Sequence, residues 1–249
     1  MSECSAPTAN GGPPRWQLSG MEAVDPLSRA RISLASPASG LITGEGDAGG
    51  ELQLLALELP AGCEPRDMWA RGNDLTAVFE PADDRGLRIT AMWRVGSAEG
   101  RCPGVRSWQL ILSAQTSRRS TPAELTVVFR FPGPVAFGDW NRGHVDWQQS
   151  LANQPTCLRV RRDTSGTTAT SLVVAIHPDD AGVLQEIPDS SGLTQIRCRL
   201  FASDLEKGVL LRSRVLVALG SAEAADPTVS GWDEAVLQQF AASAPILSS

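Results

Sequence analysis

The sequence has no tyrosine, one lysine and only two histidines, and these shortages limit the chemistry that the chain can perform. The histidines, His144 and His177, lie 33 positions apart. A catalytic zinc ion usually takes two or three histidines together with carboxylates, so such a site has little support here. The sequence also lacks a G-x-S-x-G motif and a P-loop. It therefore offers no recognisable serine-hydrolase or phosphate-binding element.

A C-x-x-C pair is absent as well, although the chain has five cysteines. Their odd number and wide spacing suggest neither a zinc site nor a thioredoxin-type redox pair. We therefore expect reduced thiols, no bound metal and no cofactor. Cys198 alternates with Ile196 and Leu200, which predicts that it is a small buried hydrophobic residue.

Positive charge is also in short supply, because 22 basic residues face 28 acidic ones and the net charge is −6. This argues against non-specific binding to nucleic acid or to an anionic membrane. The longest apolar runs, such as "LQLLALEL", are far too short to span a bilayer. The N-terminus has neither the basic start nor the apolar segment of a secretion signal. We expect a disordered lead over residues 1–14, one domain over residues 15–249 and a cytoplasmic location.

What the sequence does contain is alternation of apolar and polar residues with a period of two. Five segments show it best: "LRITAMWRV", "SWQLILSAQT", "ELTVVFRF", "LTQIRCRLF" and "GVLLRSRVLVAL". Two antiparallel sheets packed face to face would bury one face of each strand. The pattern predicts an all-β protein, a single large antiparallel β-sandwich of about a dozen strands with a short C-terminal helix in "GWDEAVLQQFAAS". A second helical turn is predicted in "DDAGVLQEI".

Two segments resemble parts of uncharacterised bacterial proteins of similar length. They are "WARGNDLTAVFE" (Trp69 to Glu80) and "LEKGVLLRSRVLVAL" (Leu205 to Leu219). The resemblance implies the large sandwich that galactose-mutarotase-like and carbohydrate-active domains also use. It implies no particular activity, because one fold supports many functions.

The segment "GEGDAG" (Gly44 to Gly49) matches the spacing of a dinucleotide-binding fingerprint. That fingerprint requires a helix N-terminus directly after it, where backbone N–H groups meet the pyrophosphate. A strand follows here instead, and Glu45 and Asp47 would repel phosphate. We interpret the segment as a hairpin loop.

The segment "FGDWNRGHVDWQQS" concentrates uncommon residues and suits a hairpin with a three-residue loop, Asn141–Arg142–Gly143. That register would place Trp140 opposite His144 and would give Trp140, His144 and Asp146 one exposed face. An aromatic ring beside a His–Asp pair can stack on a sugar or orient a proton donor. The alternative is a loop that packs on the sandwich through its tryptophans.

Two further places are candidates for ligand contact. The segment "IHPDD", which contains His177, is superficially similar to a His-Pro element of mutarotase-type enzymes. In the alternative, His177 ends a strand, and Asp179 or Asp180 caps a helix that follows. Trp69 and Arg71 precede a turn in which Gly72 and Asn73 suit φ > 0, and Arg71 is placed to pair with Asp74.

Arginines occupy alternating positions in several predicted strands and would form a basic surface if those strands are neighbours. Such a surface would bind a carbohydrate or another anionic small ligand, since guanidinium groups fork onto carboxylates, sulfates and phosphates. In the alternative, each arginine pairs with an acid across strands. The nine are Arg88, Arg94, Arg130, Arg159, Arg161, Arg197, Arg199, Arg212 and Arg214.

Three functions remain open from the sequence. The first is a binding or interaction domain that recognises a carbohydrate or an anionic ligand. The second is a carbohydrate-active enzyme, an epimerase, lyase or hydrolase, that uses His144 or His177 with a carboxylate. The third is a structural subunit of an oligomer, although the sequence does not give the oligomeric state.

Overall fold

A computed structural model of the protein describes most of the chain. Of strand residues 139–141, 144–148, 161–162, 170, 188 and 221 it describes the backbone alone. The described residues are 14–43, 52–82, 86–96, 104–133, 135–141, 144–148, 155–162, 170–180, 182–188, 193–201, 203–221 and 231–243.

Two large antiparallel sheets contain most of these residues, which confirms the predicted all-β sandwich. In spatial order, the eight-stranded sheet consists of β1 (Gln17–Ser19), β2 (Glu22–Asp25), β3 (Ala30–Ser33), β4 (Leu41–Ile42), β5 (Gln53–Glu58), β11 (Leu125–Phe131), β17 (Thr194–Leu200) and β16 (Gly182–Pro188). The nine-stranded sheet consists of β13 (His144–Gln148), β12 (Val135–Asn141), β14 (Cys157–Arg162), β15 (Thr170–Ile176), β19 (Leu210–Ser221), β9 (Arg106–Thr116), β8 (Leu87–Val95), β7 (Asp74–Pro81) and β6 (Cys63–Arg71).

Four smaller elements complete the described structure. The short strands β10 (Ser120–Pro122) and β18 (Asp204–Glu206) pair with each other, and a 3-10 turn spans Pro37–Ser39. The helix α1 (Trp232–Ala241) lies where the C-terminal helix is predicted. The described strands number nineteen, more than the dozen expected, because short hairpins add strands that have little periodic signal.

The inner faces of the two sheets form one hydrophobic core. The alternating residues of "LRITAMWRV" and "SWQLILSAQT" enter it as predicted, with Trp93 and Trp108 fully buried. Cys198 is buried there beside Ile196 and Leu200, and burial raises the pKa of its thiol. This confirms that Cys198 serves as a small hydrophobic residue.

A β-bulge in β5 brings two consecutive leucines into the core. The register between β5 and β11 shifts so that Leu54 and Leu55 stand opposite Phe129 alone. Leu55 has φ of 49°, a left-handed conformation that is unusual for a leucine, and it is completely buried. Burial of both side chains offsets the backbone strain at Leu55.

The helix α1 covers part of the outer face of the nine-stranded sheet. Its predicted apolar stripe of Val236, Leu237 and Phe240 is buried, together with Trp232. The indole of Trp232 fits against Gly220 of β19, where a Cβ atom would lie 2.7 Å from the ring. The helix and the outer sheet residues form a second, smaller hydrophobic cluster. No helix of the described residues is long and apolar enough to cross a membrane.

The helical turn predicted in "DDAGVLQEI" is wrong, because most of this segment forms strand β16. It pairs with β17 over its whole length, from Gly182 opposite Leu200 to Pro188 opposite Thr194. Pairing with an available sheet edge outweighs the weak local helical pattern. The "GEGDAG" segment lies outside the described residues, but the flanking β4 and β5 pair antiparallel, so a strand does follow it.

Candidate functional site

The β12–β13 hairpin has a different register from the predicted one. Asn141 stands opposite His144, and Trp140 stands opposite Val145, so two residues separate the paired ends instead of three. Directly opposed residues share a face and alternate along each strand. The backbone therefore places Trp140 on the other face of the sheet from His144 and Asp146, and the predicted shared face is wrong. Arg142 lies outside the described residues, as do the side chains of residues 139–148.

His177 is fully buried at the end of β15, beneath the C-terminal part of α1. Its ring makes an edge-to-face contact with Phe240, with a centroid distance of 5.1 Å. No helix follows it for an aspartate to cap. Instead, Asp180 binds the guanidinium of Arg214, with Oδ2 at 3.1 Å from Nε. The expectation that His177 merely ends a strand misses its burial, which comes from a helix more than 50 residues later in the chain.

The hydrogen bonds of His177 fix its protonation state. Nδ1 lies 2.7 Å from Nη2 of Arg214 and 3.2 Å from the backbone nitrogen of Asp179, and both of these atoms can only donate. Nδ1 must therefore accept, and the neutral ring carries its proton on Nε2. Burial and the charge of Arg214 lower the pKa of His177, and this outweighs the opposing effects of Asp180, Asp179 and the backbone of Ala241. A neutral ring without exposed surface argues for a structural role.

We predict that this histidine makes the fold sensitive to acid. The pKa of His177 is lower in the folded protein than in the unfolded chain, so its contribution is fully present above the unfolded value of about 6.5. The contribution is lost as the pH falls through the folded pKa, with a slope of at most about 1.4 kcal/mol per pH unit. Urea unfolding of the wild type and of His177→Asn between pH 5 and 8 measures it, since Asn keeps an acceptor and does not titrate. Parallel pH profiles would contradict the prediction.

The arginines of the predicted strands do not form one basic surface. They are divided between the two sheets, and Arg130 donates to the amides of Gln53 and Gln195. Arg212 is also engaged, and the side chain of Arg161 is outside the described residues. The remaining pairs are Arg88 with Glu80, Arg94 with Asp74, Arg159 with Asp233, Arg197 with Glu58, Arg199 with Glu124, and Arg214 with Asp180. Arg88, Arg94 and Arg197 pair with acids on other strands, as the alternative expects. The acids that bind Arg159, Arg199 and Arg214 lie in α1 or in loops.

The β6–β7 hairpin presents Trp69 and Arg71 on the outer face of the nine-stranded sheet. The turn has Gly72 in the left-handed region, as predicted, with φ of 55°, but the positive φ expected at Asn73 is wrong. Arg71 stands opposite Asp74 in the register but does not pair with it. Both oxygens of Asp74 instead accept from Arg94 on β8, at 2.7 and 2.9 Å. Trp69 is 42% exposed, which is unusual for a large aromatic side chain on a strand.

Beside this hairpin, a cavity of about 190 Å³ opens between the sheet and α1. Its sheet side is lined by Arg94 of β8, Gln109 of β9 and Leu216 of β19. Asp74 and Arg71 continue the same cross-strand row to the edge of the sheet. The complete lining is Asn73, Arg94, Val95, Gly96, Ser107, Gln109, Leu216, Val236, Gln239, Phe240 and Ser243.

The polar groups of this cavity are available to a ligand. Within the described part of the chain, the side-chain amides of Asn73, Gln109 and Gln239 make no hydrogen bond. A carboxamide can both donate and accept, so three of them together suit a ligand that is rich in hydroxyl groups. Phe240 and Leu216 supply apolar surface between them. The ion pair of Arg94 with Asp74 is already complete and contributes little net charge.

A larger hollow of about 370 Å³ lies at the other end of the same strands. Its lining includes the half-exposed pair of Arg88 and Glu80 but no aromatic ring. Among the described residues, no three histidine, cysteine, aspartate or glutamate side chains come close enough to hold a metal ion. We therefore take the cavity between the sheet and α1, together with Trp69 and Arg71, as the candidate site and call it the sheet–helix site.

Trp69 and Arg71 are candidates from the sequence, whereas Gln109 and Gln239 are not, and Asn73 is expected there only as a turn residue. Gln109 alternates with the buried Trp108 and Leu110, so its outward position was predictable. Gln239 lies beside the apolar stripe of α1, and its place at a cavity depends on where the helix docks. Only the outward position of Gln109 had a signal in the sequence.

No known protein family matches the chain, and no curated protein matches it. Among solved structures, it is similar to a candidate kojibiose phosphorylase from the human microbiome, with a TM-score of 0.45 and 5% identity over 93% of this chain. It is also similar to a heparinase III gene product, with a TM-score of 0.33 and 10% identity over 70% of this chain. The chain spans 37% and 24% of the lengths of those two proteins.

Proposed function

We propose that the protein is a non-catalytic binding domain that holds a saccharide at the sheet–helix site. The observation that carries this proposal is the exposed indole of Trp69 on the same sheet face as a cavity lined by unengaged amides. A sugar has an apolar C–H face and a rim of hydroxyl groups. The indole suits the first, and the carboxamides of Asn73, Gln109 and Gln239 suit the second.

The geometry allows one ligand to reach both parts of the site. Trp69 stands opposite Thr76, which stands opposite Met92 on β8. The Sδ atom of Met92 lies 3.7 Å from the guanidinium of Arg94, which lines the cavity. Arg94, on the near side of the cavity, is two strand spacings across and two residues along from Trp69, so about 12 Å separates their backbones.

Binding without catalysis fits the titratable groups near this site. Asp74, next to the cavity, is held by Arg94, and His177 is buried and neutral behind Phe240. A general acid or base must reach a proton of the substrate, and neither group has that access. The enzymatic alternative then rests on His144, whose side chain is outside the described residues.

We predict that Trp69→Ala weakens saccharide binding about tenfold, equivalent to about 1.4 kcal/mol of lost stacking and apolar contact. Calorimetric titration with oligosaccharides selected on a glycan array measures the effect. Leu27→Ala is the matched control. Leu27 is another exposed apolar side chain, but it lies in the turn between β2 and β3 of the eight-stranded sheet. We expect that control to bind like the wild type. Equal affinities of the Trp69 variant and the wild type, or an array on which nothing binds, would refute the proposal.

A further inference from the structure

Two arginines that make no ion pair in the described part of the chain are not among those that the strand pattern emphasises. Arg71 and Arg66, both exposed and both on β6, have no hydrogen bond or ion pair within the described structure. They lie on either side of Trp69 in the segment "RDMWAR". The edge strand beside the cavity therefore carries two arginines that have no ion-pair partner, and the exposed carboxylate of Asp67 lies between Arg66 and Trp69 in the same segment.

Arg71 has an acidic neighbour that it does not use. Asp74 stands directly across the hairpin, but both of its oxygens accept hydrogen bonds from Arg94. The ion pair of Asp74 and Arg94 is geometrically complete, so the fold has no need of the Arg71 guanidinium. Its donors remain free on the face that also presents Trp69.

We infer that the saccharide held at the sheet–helix site is acidic, with a ring carboxylate that binds Arg71 while the ring lies against Trp69. This inference rests on the proposed function. A guanidinium presents two parallel N–H donors whose spacing matches a carboxylate, which favours a uronate over an ester whose charge is spread over a tetrahedral group. Arg66 adds a second cation, which would bind the acidic group of the next sugar unit in the oligosaccharide.

The acidic character of the whole protein does not oppose this assignment. The net charge is −6, but charges in solution are screened over about 8 Å at physiological ionic strength. The charged groups adjacent to the site therefore determine the local attraction, and Arg71 lies in the same cross-strand row as Arg94 of the cavity lining. For the same reason, the attraction must weaken as salt is added.

The test compares a uronic-acid oligosaccharide with its carboxyl-reduced counterpart, which has the same linkages and length but no charge. We expect the wild type to bind the acidic form about tenfold more tightly, and the difference to shrink at high salt. In Arg71→Gln, most of the tenfold preference for the acidic form over the reduced form should be lost. Arg119→Gln, at an exposed arginine after β9, is the matched control and should keep the preference.

The outcomes separate this inference from the proposed function. If both oligosaccharides bind equally, the acidic preference is wrong and the saccharide site stands. If neither binds, the proposed function fails and this inference fails with it. A sulfated neutral oligosaccharide that binds as tightly as the uronate would overturn the assignment of a carboxylate. A preference that survives in Arg71→Gln would overturn the role of Arg71.

Discussion

Replacement of Asp180 by alanine is expected to lower the free energy of unfolding by about 3–5 kcal/mol, as breaking one partner of a buried ion pair does. Arg214 lies on β19 with 5% of its surface exposed. Asp180 accepts from its backbone nitrogen at 2.7 Å, from Nε at 3.1 Å and from Nη2 at 3.3 Å. Without the carboxylate, the buried guanidinium would lose its counter-charge and two hydrogen bonds, and the backbone nitrogen of Arg214 would lose its acceptor.

Urea unfolding at neutral pH measures this loss, and two further variants test its cause. Asp179→Ala removes the neighbouring carboxylate, which is 69% exposed, and should change stability by less than about 0.5 kcal/mol. Combining Asp180→Ala with Arg214→Met removes both charges and should recover part of the loss. Equal effects of the Asp179 and Asp180 substitutions would show that the buried pair does not stabilise the fold.

The same pair connects the fold to the sheet–helix site. Nη1 of Arg214 donates to the carbonyl of Ser243, just beyond α1, and Nη2 contacts His177. Phe240 touches His177 on one side and lines the cavity on the other. A buried polar network therefore fixes the position of the helix that forms one wall of the cavity.

The sequence correctly predicted which face of a strand is buried, because alternation along a strand is a local property. Trp93 and Trp108 lie in the core where the period of two places them. The register of strand pairing, and the burial of one element by another, depend on residues that are distant in the sequence. One residue of difference in the β12–β13 loop moved Trp140 to the other face from His144, and the flanking residues alternate too weakly to fix the pairing.

Partners across strands were unpredictable for a similar reason. Arg71 and Arg94 are both near Asp74 in the folded sheet, but only strand order and side-chain direction decide which of them binds it. His177 shows the same limit, because its pattern places it at a strand end and says nothing of the helix that buries it. The candidate site combines a tryptophan that the sequence identified with the amide of Gln239, which only the docked helix brings close.

Replacement of Phe240 by alanine is the second change for which we expect a large effect, a loss of about 3–5 kcal/mol. Phe240 is 3% exposed and packs on the outer sheet face with Val236, Leu237 and Trp232. Helix α1 has ten residues and no side-chain cap at Gly231, and isolated helices of that length are marginal in water. Its stability therefore depends on docking, and Phe240 supplies much of the docked apolar area.

The amides that lose protection from hydrogen exchange show whether Phe240 holds α1 on the sheet or stabilises the core in general. Hydrogen exchange should show that the amides of α1 lose protection in Phe240→Ala while those of β8 and β9 keep it, since the sheet core lies on the other face. Phe240→Leu retains most of the buried area and should cost less than about 1.5 kcal/mol. Saccharide binding should weaken with the alanine variant, because one wall of the cavity is lost. Unchanged protection of α1 would show that the helix is held by its polar contacts with Arg159 and Arg214 and that the apolar stripe is secondary.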